Sequence, residues 1–412
     1  MKALGTSGLR SNTDFRRFLA AETVSELGNT VGSFGLPIAV FLTTGSTLAS
    51  GVVVAAAAMG SIGCSLIAGA VADRRSRRTV MVWASSGRML TWTALAVCVT
   101  REEVHLGWLV SVAVAGGGFA ALFAAAQAGA MRTIVAPGDY ARAGAAIEGR
   151  NAAVDIIGAP LGGLLLGLGV GVPLAANAAS FAVSALAIIG IRAPLGTPEG
   201  RRSRGFWKEL AEGYRYVWSR APYRVLTLAS AASNFGINAF IFALVLALQS
   251  AHHPPWEIGL VQSGIAVSVL VGASVTGQVI HRLQICTTLR VAAVLRVAAL
   301  FGITLCLDEI LVVVPLLVAG FILTSTSNTA ERTYMALTTR TEFQGKVASF
   351  EQFVGQAFVP VAPLAAGSLV GIWRPGLALA AFSCIAAVGA LVLIRSTAVG
   401  GLPRVADLVV ID

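Results

Sequence analysis

The chain has 412 residues, of which 56% are apolar and only 12% are charged, and its formal net charge is +10. Soluble domains carry roughly 25% charged residues, so this composition excludes an ordinary soluble domain and favours a membrane protein. The positive charge does not indicate a nucleic-acid partner, because the basic residues lie in short loops beside apolar runs, where they orient membrane spans.

Twelve apolar runs approach the length of about 20 residues that a helix needs to cross the hydrocarbon core. No cleavage pattern accompanies the first run, so we expect it to remain in the mature protein. The predicted spans are 16–42, 47–72, 79–99, 107–132, 142–167, 173–192, 223–250, 257–280, 287–306, 310–330, 343–369 and 374–395.

A polar stretch after the sixth span separates two groups of six spans. We therefore predict an N-terminal six-helix bundle, a cytoplasmic linker, a C-terminal six-helix bundle and a cytoplasmic tail, over residues 1–193, 194–222, 223–396 and 397–412. In the linker, Trp207, Leu210, Tyr214 and Val217 recur every three to four residues, with charged residues between them. This pattern predicts an amphipathic helix suited to lying on the cytoplasmic membrane surface, where it either tethers the two bundles or senses lipid.

The two groups of spans repeat one another. Ser25-Glu26-Leu27-Gly28 falls on Ser233-Asn234-Phe235-Gly236 with a shift of 208 residues, and the same shift places Arg88 on Arg296. Many secondary transporters are built from such repeats and bind their substrate between them, near the bilayer midplane. We therefore predict an all-α membrane protein with twelve transmembrane helices in two pseudo-symmetric six-helix bundles.

Basic residues concentrate in the loops on one side of the predicted spans. Four arginines follow the second span between Arg74 and Arg78, whereas the loops of the opposite side contain only Arg101 and Arg374. The positive-inside rule then places both termini in the cytoplasm of a multi-pass protein of the cell (inner) membrane.

The loop after the second span reads Gly69-Ala-Val-Ala-Asp73-Arg74-Arg75-Ser76-Arg77-Arg78. It resembles the signature loop of the major facilitator superfamily, although Ser76 stands where that family usually has glycine. The resemblance implies a gating loop that latches the outward-facing state, and the alternative is a positive-inside anchor only. An Asp73 carboxylate can pair with Arg77 and with a helix N-terminus. The gating residues are Gly69, Asp73, Arg74, Arg77 and Arg78.

Further motifs are similar to those of particular branches of this superfamily. Gly158-Ala159-Pro160 in the fifth span resembles the glycine-proline motif of drug antiporters, although a packing kink in any transporter would read the same way. Arg88 and the Gly345-Lys346-Val347 turn resemble proton-driven exporters of macrolides and siderophores. That branch implies export coupled to protons.

Membrane-embedded charges cost roughly 2.5–3.5 kcal/mol each and usually mark function. Glu22 and Glu26 lie one turn apart in the first span, and Asp155 lies in the fifth. The shift of 208 places Ser230 and Asn234 opposite the two glutamates, so we expect proton coupling in the N-terminal half, on Glu26, Asp155 or Glu22. The alternative for each acid is a structural ion pair. Candidate substrate-cavity residues are Asn29, Asn151, Asn234, Asn238, Gln352 and Gln356.

Motifs for catalysis, nucleotide binding and metal binding are absent from the sequence. We therefore expect no enzymatic activity, no cofactor and no metal. The predicted function is secondary active export of a small, largely apolar compound (a drug, antibiotic or siderophore) by proton antiport with alternating access. The predicted partners are the substrate, protons and the lipid bilayer, with the chain as a monomer. An importer or uniporter on the same fold, or a lipid scramblase, is the alternative.

Overall fold

The computed structural model describes residues 12–101, 105–191, 193, 195, 206–307 and 309–407, except for the side chains of residues 66, 73, 206, 207, 281 and 406. Over these residues the protein is almost entirely helical and contains no β-strand. The prediction of an all-α protein is therefore confirmed.

The first six predicted spans each correspond to one helix. A short 3₁₀ turn, Pro137–Asp139, precedes the fifth of them. The helices are α1 (Thr13–Thr44), α2 (Thr47–Arg74), α3 (Arg77–Val99), α4 (Leu106–Ile134), α5 (Tyr140–Leu168) and α6 (Val172–Ile189).

The second half contains the same spans, two of them broken, together with a linker helix and a short helix in the tail. The helices are α7 (Phe206–Trp218), α8 (Ala221–Ser250), α9 (Pro255–Arg282), α10 (Ile285–Leu305), α11 (Ile310–Phe321), α12 (Thr324–Thr338), α13 (Thr341–Ala357), α14 (Val361–Ile372), α15 (Pro375–Arg395) and α16 (Thr397–Gly400). The tenth span comprises α11 and α12, and the eleventh comprises α13 and α14.

The two broken spans have different surroundings at their breaks. Pro360 precedes α14 and lacks the N–H that would continue the helix from α13. Between α11 and α12 the carbonyl of Ile322 lies directly against Gly272 of α9, where any side chain would overlap it. The second break therefore lies at a tertiary contact with a neighbouring helix.

Eleven helical segments of the described chain are long and apolar enough to cross a membrane. The predicted span outside this set is α3, which begins with Arg77 and Arg78 and has Arg88 near its middle. The Arg88 side chain is buried within the protein, so α3 can span the membrane without presenting that charge to lipid.

Contacts divide the chain into two compact units. The first comprises Met1–Arg201 and His253–Ser263, and the second comprises Arg202–His252 and Gly264–Asp412. The beginning of α9 thus packs within the first unit, where the Ser263 hydroxyl donates to the Ile156 carbonyl at 2.6 Å. The second unit contains α7 and the described part of the tail.

Close helix packing in the first unit uses residues without side chains. Gly60 of α2 lies against the Val114 carbonyl of α4, and Gly117 of α4 lies against the Ala57 carbonyl of α2. Membrane helices gain little from hydrophobic burial against one another, because lipid is equally apolar, so small residues that allow close approach stabilise such contacts.

The predicted linker helix exists, but part of its apolar face packs on protein rather than on the membrane surface. Leu210 and Val217 of α7 are buried in a cluster that also contains Phe350 of α13 and Val399 of α16. Tyr214 remains 44% exposed. The side chain of Trp207 lies outside the described residues. The apolar stripe therefore anchors α7 to the second unit, because protein side chains cover its most apolar positions.

Candidate functional site

The first unit contains a buried carboxylate. Glu22 of α1 is 5% exposed, and its Oε2 accepts a hydrogen bond of 2.6 Å from Nε2 of Gln127 on α4. Its second oxygen, Oε1, is buried and has no hydrogen-bond partner among the described residues. Buried polar atoms are usually satisfied, so this free oxygen is available to a proton, a water molecule or a ligand group.

Arg88 of α3 is a buried cation held mainly by neutral groups. Its guanidinium carbon lies 3.8 Å from the ring centroid of Phe181 and 5.6 Å from that of Phe123. It also donates to Oδ1 of Asn29 at 3.2 Å. Cation–π contacts of desolvated groups contribute about 2 kcal/mol. Arg88 therefore stabilises negative charge on Glu22 at longer range, without forming a direct ion pair among the described side chains.

Helix α5 brings a second arginine to the same region. Arg150 attracts the Glu22 carboxylate electrostatically, and its Nε and Nη1 atoms are buried without partners in the described structure. The Oδ1 atom of Asn151 is also buried and unsatisfied there. Asp155, which is largely exposed, interacts electrostatically with Glu26 and Arg150.

The glycine of the fifth-span motif explains how α5 reaches α1. A methyl group on Gly158 would lie 2.6 Å from Cγ2 of Thr30 and 2.8 Å from its Cβ. The absence of a side chain at Gly158 thus permits close approach of the two helices that contain Glu26 and Asp155. The acids that the sequence indicated in separate spans therefore share one electrostatic environment.

The second unit contains a cavity of about 870 Å³. Three of the predicted cavity residues, Asn234, Gln352 and Gln356, line it, together with Ser230. Asn238 does not line this cavity, and its amide instead donates to the Asn234 carbonyl at 2.8 Å. Asn29 and Asn151 belong to the first unit described above.

Two acidic residues that the sequence analysis missed also line this cavity. Glu331 of α12 accepts hydrogen bonds from the Ser230 hydroxyl at 2.9 Å to Oε1 and 3.1 Å to Oε2. Glu351 of α13 accepts a hydrogen bond from the Thr227 hydroxyl. The C-terminal half is therefore also acidic, and the spacing of Gln344, Glu351 and Gln352 along one helix was a signal that could have revealed it.

Arg296 lines the same cavity. Its guanidinium carbon lies 5.7 Å from the Phe321 ring, and Nη2 donates to the Thr324 hydroxyl at 3.3 Å. Its Nε atom is buried without a partner among the described atoms. Arg296 interacts electrostatically with Glu331, as Arg88 does with Glu22.

The predicted gating loop ties helices of the first unit together. Arg77 donates to the Thr133 hydroxyl of α4 at 2.9 Å, and Arg78 donates to the carbonyls of Ile191 and Ala193 after α6. Arg74 is exposed and Gly69 has open space beside it. The side chain of Asp73 lies outside the described residues, so its pairing with Arg77 stays a prediction.

Comparison with known proteins identifies the family. The sequence profile of the Major Facilitator Superfamily matches residues 18–363. The "Multidrug efflux pump Tap" of Mycobacterium tuberculosis (strain ATCC 25618 / H37Rv) is 28% identical over 275 residues, which cover 62% of this chain and 63% of that protein. The match thus spans less than two thirds of that relative.

Solved structures share the fold at low sequence identity. The nucleoside transporter NupG has a TM-score of 0.74 at 11% identity, covering 93% of this chain and 98% of NupG. A bacterial homologue of the iron transporter ferroportin in its inward-facing state has a TM-score of 0.71 at 14% identity, covering 95% of this chain and 99% of that one. With the profile match over most of its length, the chain belongs to the Major Facilitator Superfamily and is a multi-pass membrane transporter.

Proposed function

We propose that this transporter exports a small, largely apolar compound in exchange for protons, and that Glu22, with Glu26 and Asp155, carries the proton. The observation that supports this most directly is the buried Glu22 carboxylate with one unpartnered oxygen. A membrane-embedded acid of this kind is costly to retain for structure alone.

The surroundings of Glu22 suit reversible protonation. When Glu22 is ionised, Arg88 and Arg150 compensate its charge through space. When Glu22 binds a proton, neither arginine loses a direct salt bridge, because neither forms one with Glu22 in the described structure, and Arg88 is held by Asn29 and the Phe181 ring. The carboxyl group can therefore change its charge without breaking a network that holds the helices together.

In this scheme a proton from outside binds the acid in one conformation and is released inside in the other. Only a difference in affinity between the two states can drive the conversion. Protonation of Glu22 removes a buried negative charge, whereas a cationic or polar group of the cargo that reaches Glu22 competes with the proton for the charged form. The same acid thereby links proton entry to cargo exit.

Export is favoured over import by the relation to a protein described as a multidrug efflux pump. The fold itself does not fix the direction or the cargo, since a nucleoside transporter and a ferroportin homologue share it. A uniporter on this fold would move its cargo only downhill and would not need the acids of α1 and α5. A proton-coupled importer would differ from the exporter in the direction in which the cargo moves. A lipid scramblase would move fluorescent lipid between leaflets without any gradient.

The experiment uses everted membrane vesicles, whose acidified lumen should drive accumulation of the fluorescent compound ethidium by the full chain. Glu22→Gln should strongly reduce this accumulation and leave downhill exchange measurable in proteoliposomes. Glu26→Gln and Asp155→Asn test the other acids, and Glu342→Gln, at an exposed position of α13, is the matched control. Full accumulation by all three acid variants would refute coupling through these residues, and lipid flipping without ethidium flux would favour the scramblase.

A further inference from the structure

The two units contain the same polar contact with its acid on opposite helices. In the first unit, Glu22 on the first span accepts from Gln127 on the fourth span. In the second unit, Ser230 on the seventh span donates to Glu331 on the tenth span. The seventh and tenth spans are the repeat equivalents of the first and fourth, and Ser230 is the residue that aligns with Glu22.

Each contact has an arginine beside it at equivalent positions of the repeat. Arg88 stacks on Phe181 and interacts electrostatically with Glu22. Arg296, 208 residues later in the sequence, lies over Phe321 and interacts electrostatically with Glu331. Acid, polar donor, arginine and aromatic ring thus occur together in both units.

Glu331 is placed where a proton can reach it. It lines the cavity of about 870 Å³, which also contains Arg296 and Glu351. The charged groups that face it are Arg296 from α10, Glu351 from α13 and Arg332 from its own helix, while α8 contributes the Ser230 hydroxyl. Because like charges repel, Glu351 favours a neutral Glu331, and the two arginines favour an ionised one.

We propose that Glu331 is a second proton-binding residue, so that each transport cycle moves two protons, one in each unit. The inference rests on the proposed function, which places the first proton in the first unit. Proton binding forms one O–H bond on the Glu331 carboxylate with a proton from water. Release breaks that bond and returns the proton to water on the other side, with no change of oxidation state.

Infrared difference spectroscopy can observe each acid without knowledge of the cargo. The full-length protein in detergent is titrated with acid, and the C=O stretching bands of newly protonated carboxyl groups are recorded. Glu22→Gln and Glu331→Gln should each remove a different buried carboxyl band, and Glu342→Gln should remove neither. A spectrum unchanged by Glu331→Gln at every pH overturns the proposal. Loss of the Glu331 band alone would keep this site and reject Glu22 as the other one.

A relocation variant separates a proton-binding role from a merely structural one. Combining Ser230→Glu with Glu331→Gln moves the acid to the seventh span and recreates the Glu–Gln arrangement of the first unit. This double variant should regain a buried carboxyl band and the second coupled proton that Glu331→Gln loses. Failure of the folded double variant to regain either would contradict the proposal, and its melting temperature checks folding.

Charge movement tests the number of protons. If two protons enter for each ethidium cation that leaves, one net positive charge moves inward, and an inside-negative potential set with K⁺ and valinomycin accelerates efflux from proteoliposomes. The Glu331→Gln protein should move one proton for each ethidium and lose this dependence on potential. Wild-type efflux that is indifferent to the potential would overturn the two-proton cycle.

Discussion

A single methyl group on Gly259 should disrupt the contact between α9 and α5 in the first unit. Such a methyl group would lie 2.6 Å from the carbonyl oxygen of Ala159, 2.7 Å from Cα of Pro160 and 2.8 Å from the carbonyl carbon of Ala159. Ordinary contacts begin at 3.4 Å, so the helices must separate by roughly 0.6–0.8 Å. All three neighbouring atoms belong to the backbone, and no side-chain rotation can relieve the overlap.

The free energy follows from two opposing terms. Overpacking of this kind costs about 1–3 kcal/mol, whereas replacing a helical glycine by alanine gains up to about 1 kcal/mol in helix propensity. Gly277→Ala on the same helix is the matched control, because a methyl group there meets no atom within 4 Å. It retains the favourable term and lacks the unfavourable one.

Thermal unfolding of the purified protein in detergent compares the two variants, with tryptophan fluorescence as the signal. Trp256 lies one turn from Gly259 on α9 and reports on the region directly. Gly277→Ala should melt at or above the wild-type temperature, and Gly259→Ala clearly below it. Equal melting temperatures for the two variants would show that the α5–α9 approach does not require a glycine.

Two further predictions concern single hydrogen bonds. Gln127→Leu should destabilise the protein by about 1.5–3 kcal/mol, the range for a hydrogen bond to a charged group, because the buried Glu22 would lose its described donor. In a Glu22→Gln background the same substitution should cost only about 0.5–1.5 kcal/mol, the range for a hydrogen bond between neutral groups. The hydrogen bond from Lys346, 2.7 Å from Glu212, lowers the pKa of the Glu212 carboxyl. A lowered pKa in the folded state gives stability that is present above the ordinary glutamate pKa and is lost as the pH falls through the folded value. Amide exchange in α7 should therefore be slower than in Glu212→Gln at neutral pH, and the two rates should converge as the pH falls.

The spans could be predicted from the sequence, because lipid requires a long apolar run for every crossing helix. The break between α11 and α12 could not be predicted from the sequence. Pro360 is a helix breaker next to the end of α13, whereas neither Ile322 nor Leu323, which separate α11 from α12, is a helix breaker. The carbonyl at that break lies against Gly272 of α9, which is fifty residues away in the chain, and no local pattern contains this contact.

Three of the five acidic residues in the candidate sites could be recognised from the sequence as embedded charges: Glu22, Glu26 and Asp155. Glu22 stands well inside an apolar run, whereas Glu331 follows the predicted end of the tenth span at residue 330 by one position. The helix in fact continues to Thr338 as α12, which is rich in threonine and serine. Hydropathy assigns such a segment to a loop because hydropathy takes no account of hydrogen bonds from its hydroxyls to neighbouring helices. The hydroxyl of Thr326, for example, forms a hydrogen bond with the hydroxyl of Thr276 on α9.

The linker helix illustrates a different limit. An apolar stripe on a helix is buried equally well by lipid or by protein, and periodicity alone does not distinguish the two. The structure shows that protein covers this stripe. Val217 is fully buried, and Gly213 lets α7 lie directly on the backbone of α13 at Lys346. The helix on which α7 packs, α13, also contains Glu351, Gln352 and Gln356 of the cavity.

Each unit contains an acid in a hydrogen bond between two of its helices, but the two acids do not occupy aligned positions in the sequence. By alignment Glu22 corresponds to Ser230, and the second unit would have no acid at this position. By contact the acid is present, because a hydrogen bond between two helices can be made with the acceptor on either of them. The arginines that compensate these acids do occupy aligned positions, since Arg296 follows Arg88 by 208 residues. Each lies on a third helix and acts on its acid through space. The electrostatic environment of the acid is therefore similar whichever helix contains it, which is why the relocation of Glu331 to position 230 is a decisive test of proton binding in the second unit.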